Sequence, residues 1–116
     1  MDHYHIWCNL KPGVSDVEFT EKVNAFLGEL ELKGLVRAHR ITRRKLGLGP
    51  KELGEFHVRI AFDDLTQLEK AFKVIATRSG EVEAQHFAAN AGATDLTFAL
   101  YRDFPDPVRK RGEEKF

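Results

Sequence analysis

Two short segments of this 116-residue chain switch between apolar and polar side chains at every position. From about Tyr4 to Leu10, Tyr4, Ile6, Cys8 and Leu10 share one parity, and His5, Trp7 and Asn9, with His3 before them, share the other. From Phe56 to Phe62 the same holds, with Phe56, Val58, Ile60 and Phe62 set against His57, Arg59 and Ala61. A period of two is that of a strand with one buried face. The second face is unusual. Imidazole, indole, amide and guanidinium groups are too aromatic for plain solvent and too polar for a dry core.

Between and after these strands the period changes. Lys11-Pro12-Gly13 signals a turn, and Ser15 with Glu18 three residues on forms a capping box. Phe19, Val23, Phe26, Leu27 and Leu30 then make one helical stripe, which Gly34 closes. Residues 35–46 predict a second strand, with Val36, Ala38 and Ile41 as its apolar members. It is crowded with Arg37, Arg40, Arg43, Arg44 and Lys45, so its phase is open and a bulge is compatible with it. The loop Gly47-Leu48-Gly49-Pro50 to Gly54 leads into a third strand, Glu55 to Phe62. Asp63-Asp64 caps a second helix with Leu65, Leu68, Ala71, Phe72 and Ile75 on one side, ending at Ser79-Gly80. Residues 81–91 suit a short additional helix. The last strand is Thr94 to Asp103, with Leu96, Phe98 and Leu100 opposed to Thr97, Ala99 and Tyr101.

The order βαββαβ predicts an α+β, ferredoxin-like domain over residues 1–104, followed by a charged tail, 105–116. Two helices with single apolar stripes cover one face of a four-stranded antiparallel sheet. Right-handed crossovers place the first and third strands at its centre. His5, Trp7 and Asn9 should therefore lie beside His57 and Arg59 on the uncovered face. A second copy of the chain is the simplest cover for such a face, so a homodimer is expected.

Composition narrows the partners. Apolar and charged fractions of 42% and 31% are those of a soluble globular protein. A formal net charge of zero weakens bulk attraction to nucleic acid or to anionic membrane. Cys8, the single cysteine, reads as a small buried hydrophobe. Neither a signal peptide nor a membrane-length apolar run is present, which points to the cytoplasm.

The candidate chemistry sits on the open face. His5 and His57 suit acid–base work, interface hydrogen bonds or ligation of a divalent metal; no carboxylate is firmly placed beside them, and neither a metal nor an organic cofactor is expected. Arg59 calls for a carboxylate, from Glu55, Asp95 or Asp103 or else from a ligand. Trp7, Asn9 and Tyr101 suit a flat ligand, and His39 joins them if the second strand has the right phase. His86 and Asn90 would share a helical face near the mouth of a chamber. The basic run Arg37–Lys45 fits a protected edge strand better than an RNA surface. Leu53-Gly54-Glu55-Phe56-His57 lacks the basic-Gly-aromatic signature of an RNA-recognition strand, which leaves nucleic-acid binding as a minor alternative.

Three segments, Tyr4-His5-Ile6-Trp7-Cys8-Asn9-Leu10, Gly54-Glu55-Phe56-His57-Val58-Arg59-Ile60 and Phe98-Ala99-Leu100-Tyr101-Arg102-Asp103, carry a further likeness. Over about residues 3–104 the chain resembles the dimeric α/β-barrel superfamily of ferredoxin-like proteins, and within it small bacterial dimeric ferredoxin-like proteins of no assigned activity. The resemblance implies a dimer joined through the open faces and a small organic ligand, aromatic or acidic. It implies either cofactor-free oxygenase, isomerase or lyase chemistry, with His5 or His57 as proton acceptor and Arg59 as anion stabiliser, or a non-catalytic, stress-associated binding dimer.

Overall fold

The computed structural model describes residues 1–77, 86, 89–105 and 110–111. Strand β1 (Asp2–Leu10), helix α1 (Asp16–Leu32), strands β2 (Ala38–Arg43) and β3 (Phe56–Phe62), helix α2 (Leu65–Ala76) and strand β4 (Ala93–Arg102) follow in the expected order. The sheet runs β2-β3-β1-β4, antiparallel throughout, so the first and third strands are central. This is the ferredoxin-like α+β arrangement. The ends assigned to the second helix at Ser79-Gly80, most of the short helix at 81–91 and most of the tail lie outside the described residues.

Local chemistry accounts for the element ends. Ser15 Oγ accepts from the Glu18 backbone N–H at 3.3 Å, as the capping box requires. The reciprocal arm is not used, because the Glu18 carboxylate pairs with Lys22 at 3.2 Å one turn on. At the start of α2 the box closes in both directions. Asp64 Oδ1 accepts from the Gln67 N–H at 2.8 Å, and Gln67 Oε1 accepts from the Asp63 N–H at 2.7 Å. Helix α1 ends with Gly34 at φ +72° and a Leu35 N–H to Leu30 carbonyl bond of 2.9 Å, the geometry that glycine allows at low cost.

The core lies between the sheet and α1. The α1 stripe Phe19, Val23, Phe26, Leu27 and Leu30 is buried against Cys8, Phe56, Val58, Ile60 and Phe62. Cys8 is a free thiol, 2% exposed, and burial raises its pKa, as suits an inert packing residue. Helix α2 is seated less completely than its sequence stripe implies. Only Ala71 is buried, while Leu65 and Phe72 remain exposed. Among the described elements, helix α1 packs mainly against β2 and α2 mainly against β3. On β4, Leu96, Phe98 and Leu100 are about half exposed, although they share the parity of the partly buried Tyr4 and Ile6.

The second strand proves regular. Its ladder with β3 runs unbroken from Ala38 opposite Ala61 to Arg43 opposite Phe56. The irregularity falls elsewhere, in the β1–β4 pairing between Trp7 and Asn9, near Asp95 at φ +54°.

Gly54 is buried where β3 begins, and a Cβ there would stand 2.3 Å from the Cys8 carbonyl carbon. Gly28, inside α1, has open space around it. Gly54→Ala is expected to lower stability by roughly 1–3 kcal/mol or more through steric overlap. Gly28→Ala should raise it by about 0.5–1 kcal/mol through helix propensity. Denaturant midpoints of the two variants check the contrast.

Candidate functional site

The register of the four strands turns the open face into a grid. One row reads Ala38, Ala61, His3 and Tyr101; the next reads Arg40, Arg59, His5 and Ala99; the third reads Thr42, His57, Trp7 and Thr97. His5, Trp7, His57, Arg59 and Tyr101 thus stand together, on the side opposite the helices. At its heart, His5 Nδ1 meets His57 Nε2 at 2.8 Å, and the two ring planes differ by only 5°. Such a contact holds one proton between two nitrogens, so one ring donates and the other accepts. Thr42 Oγ1 lies 3.4 Å from the second nitrogen of His57. Trp7 lies nearly parallel to both rings, 4.8 Å from His57 and 5.5 Å from His5, and Tyr101 meets His5 edge-on at 5.2 Å.

The electrostatics favour neutral imidazoles. Burial, followed by the charges of His3 and Arg59, lowers the His5 pKa below its ordinary value; burial, then His5 and Arg59, does the same to His57. A second network lies at the edge of the grid. Asp103 accepts from His3 Nε2 at 2.7 Å and from the terminal amine of Met1 at 3.3 Å. The hydrogen bond from His3 and then that from the amine hold its carboxyl below the usual aspartate range. His3 was not singled out in the sequence as a site residue. Its strand parity was the available signal, and its bond to Asp103, a hundred residues away, had none.

Two expected members of the patch have other engagements. His39 is opposite Ile60 and so lies on the helix side. There its Nδ1 is hydrogen-bonded to Glu31 and its Nε2 to Asn24 Oδ1 at 2.9 Å, both on α1. Asn9 is on the open side, but both ends of its amide serve the fold. Its Oδ1 accepts from the Glu55 N–H at 2.9 Å, and its Nδ2 donates to Asp95 at 3.2 Å. The basic run is largely consumed inside the molecule. Arg43 reaches Asp16 and Glu55 and lies over the Phe56 ring, while Arg44 donates to the Pro50 and Leu53 carbonyls and orders the loop. Arg40 and Thr42, unassigned while the phase of β2 was open, are the strand's contribution to the open face.

The other side of the sheet holds a cavity of about 680 Å³. Core residues such as Cys8, Phe26, Leu30 and Val58 form its floor. Tyr4, His86 and Asn90 supply its polar groups, and the Asn90 amide is 2.8 Å from His86 Nε2. Exposed Phe72, Leu96 and Phe98 also line it, which sets its mouth beside β4. Among the described residues no cluster of three or more His, Cys, Asp or Glu is placed to hold a metal, and no helix is long and apolar enough to cross a membrane.

The match to a family model extends over residues 1–116. The chain belongs to DUF6614, a family of unknown function. No curated protein matches it in sequence. Among solved structures, the Arabidopsis thaliana protein At3g17210 aligns with a TM-score of 0.69 at 10% identity, covering 89% of this chain and 95% of that one. A dimeric ferredoxin-like protein of unknown function from Jannaschia sp. CCS1 gives 0.64 at 11%, covering 89% and 100%. An antibiotic biosynthesis monooxygenase gives 0.59 at 16%, covering 90% and 100%. At these identities the likeness is one of fold, and it agrees with the ferredoxin-like architecture of this DUF6614 protein.

The lowered histidines predict an acid-sensitive fold. The folded pKa values lie below the ordinary 6.5, so on acidification the unfolded chain takes up protons first. Stability present above pH 6.5 is lost as pH falls through the folded values. Asp16 and Asp103, also lowered, add their loss only in the more acid carboxylate range. Melting temperatures across pH 7.5 to 5 should show the first fall in wild type, and His5→Gln with His57→Gln should flatten it.

Proposed function

We propose that this DUF6614 protein is a homodimer, joined through the open faces of its sheets, that holds a small and mainly apolar organic molecule between the sheet and helices of each protomer. The cavity of about 680 Å³ carries this reading. Its volume is within the range of small-molecule sites, and its lining, apolar with a few polar groups, is of the usual kind. Displacing water from apolar walls of this extent would favour an apolar occupant. The His86–Asn90 pair and, separately, Tyr4 would supply its polar contacts, and burial raises the Tyr4 phenol pKa.

Dimerisation draws support from the open face itself. Trp7, Tyr101 and the histidine pair form a continuous aromatic surface that a second sheet can cover. The Jannaschia protein of the same fold is described as dimeric, as is another from Bacteroides fragilis. Charge weighs against the RNA alternative, since Arg43 and Arg44 are spent on internal partners.

A second reading rests on the bond between His5 and His57. A neutral imidazole with a partner ready to share its proton is a general base, and Arg59 beside it can stabilise an anion. In that case the dimer is an enzyme of the cofactor-free oxygenase, isomerase or lyase type, with His5 and His57 as its proton-handling groups. The non-catalytic alternative keeps the pair as interface hydrogen bonds.

Sedimentation at micromolar concentration should give a dimer, and Trp7→Glu should give a folded monomer; a monomeric wild type would sink the dimer. Neutral Nile red should bind in the cavity, and Ala76→Trp, at its exposed rim, should abolish binding without altering the sedimentation. Unchanged dye binding would remove the cavity from consideration. For the enzymatic reading, His5→Ala and His57→Ala should each lower turnover of an identified substrate by roughly 10²- to 10⁴-fold.

A further inference from the structure

Two arginines face each other across the open side of the sheet. Arg59 on central strand β3 is the register partner of Arg40 on edge strand β2. Like charges directly opposite on one face destabilise a strand pair. The carboxylates expected to offset them are committed elsewhere. Glu55 is held by Arg43 at 3.2 Å, Asp103 by His3 and the terminal amine, and Asp95 by Asn9. The single polar contact of the Arg59 side chain among the described residues is a long one, 3.5 Å to His3 Nδ1. Arg40 makes no hydrogen bond or ion pair to any described residue. A half-buried guanidinium without a fixed acceptor is costly, and a fork of N–H donors fits a carboxylate in two-toothed fashion.

We propose that Arg40 and Arg59 form a binding site for a small planar organic carboxylate on the open face of the sheet. The neighbouring row supplies the rest of the site. His5 offers its Nε2, the ring nitrogen not engaged by His57, and Trp7 lies parallel to His57 as a platform for a flat molecular body. Ala99, next to His5 in the arginine row, leaves room beside them. The site is on the opposite side of the sheet from the apolar cavity, so the inference does not rest on the cavity; in the proposed dimer it would lie between the two sheets. After burial and a neighbouring histidine, the Arg59 charge also lowers both imidazole pKa values, so a carboxylate on Arg59 is coupled to the histidine pair.

The test uses benzoate as the acid probe and benzamide, its neutral counterpart of the same shape, as control, followed by calorimetry and by the histidine side-chain NMR signals of the intact protein. Benzoate should bind saturably and shift the His5 and His57 signals, and benzamide should bind about 10-fold more weakly or worse. Arg59→Gln and Arg40→Gln should each weaken benzoate by about 10-fold or more, with Arg59→Lys retaining part of the affinity because the charge survives without the fork. Equal binding of benzamide, no saturable binding of benzoate, or wild-type affinity in Arg59→Gln overturns the proposal. So does a loss confined to dimer affinity in the arginine variants, which would assign the pair to subunit contacts. Ala76→Trp should leave benzoate binding intact. A monomer that binds benzoate through Arg59 would defeat the dimer while leaving this site standing.

Discussion

The antiparallel ladder between β1 and β3 is the constraint on which the other features depend. Its register fixes two opposite sets of neighbours at once. Tyr4 with Ile60, Ile6 with Val58 and Cys8 with Phe56 face the helices, while His5 with Arg59 and Trp7 with His57 face away. Because side chains alternate, neither set can be changed without disturbing the other. The hydrophobic burial that drives folding thereby holds a row of polar and aromatic groups in place on the far side. Those groups need not stabilise the monomer to be positioned accurately.

This dependence explains why the central strands were legible in the sequence and the edges were not. Residues 4–10 and 56–62 alternate cleanly because both are paired on two sides and packed on one. Strand β2 has an arginine at positions of either parity. Arg43 lies on the helix side only because its charged end reaches Asp16 and Glu55 while its guanidinium covers Phe56. A long cation of that kind counts as polar in any pattern, yet it behaves as cover for the core. The position of His39 was hidden for the same reason, since an imidazole captured by Glu31 and Asn24 of α1 looks identical in sequence to one on the open face. Asn9 illustrates a different gap. Its residue type suggested ligand binding, but its place at an irregularity in the ladder gives both amide ends work inside the fold.

The two faces divide the chemistry between them. On the helix side, polar groups are few, and half-exposed apolar side chains of β4 stand at the mouth of a cavity. On the open side, cations and imidazoles outnumber the carboxylates free to answer them. That imbalance exists in a chain whose formal charges sum to zero, so it is a property of placement and not of composition. Bulk charge was informative about nonspecific partners and silent about this local excess.

Gly54 gives the ladder a mechanical stop. With the Cys8 backbone pressed against the space where its side chain would be, no other residue type fits at that point of approach. If β3 slid by one position along β1, the side chain of Leu53 or Glu55 would be driven into the Cys8 main chain. The glycine therefore acts as an alignment notch. It disfavours the mis-threaded sheet in which imidazoles and arginines would point into the core, and it does so through main chain alone.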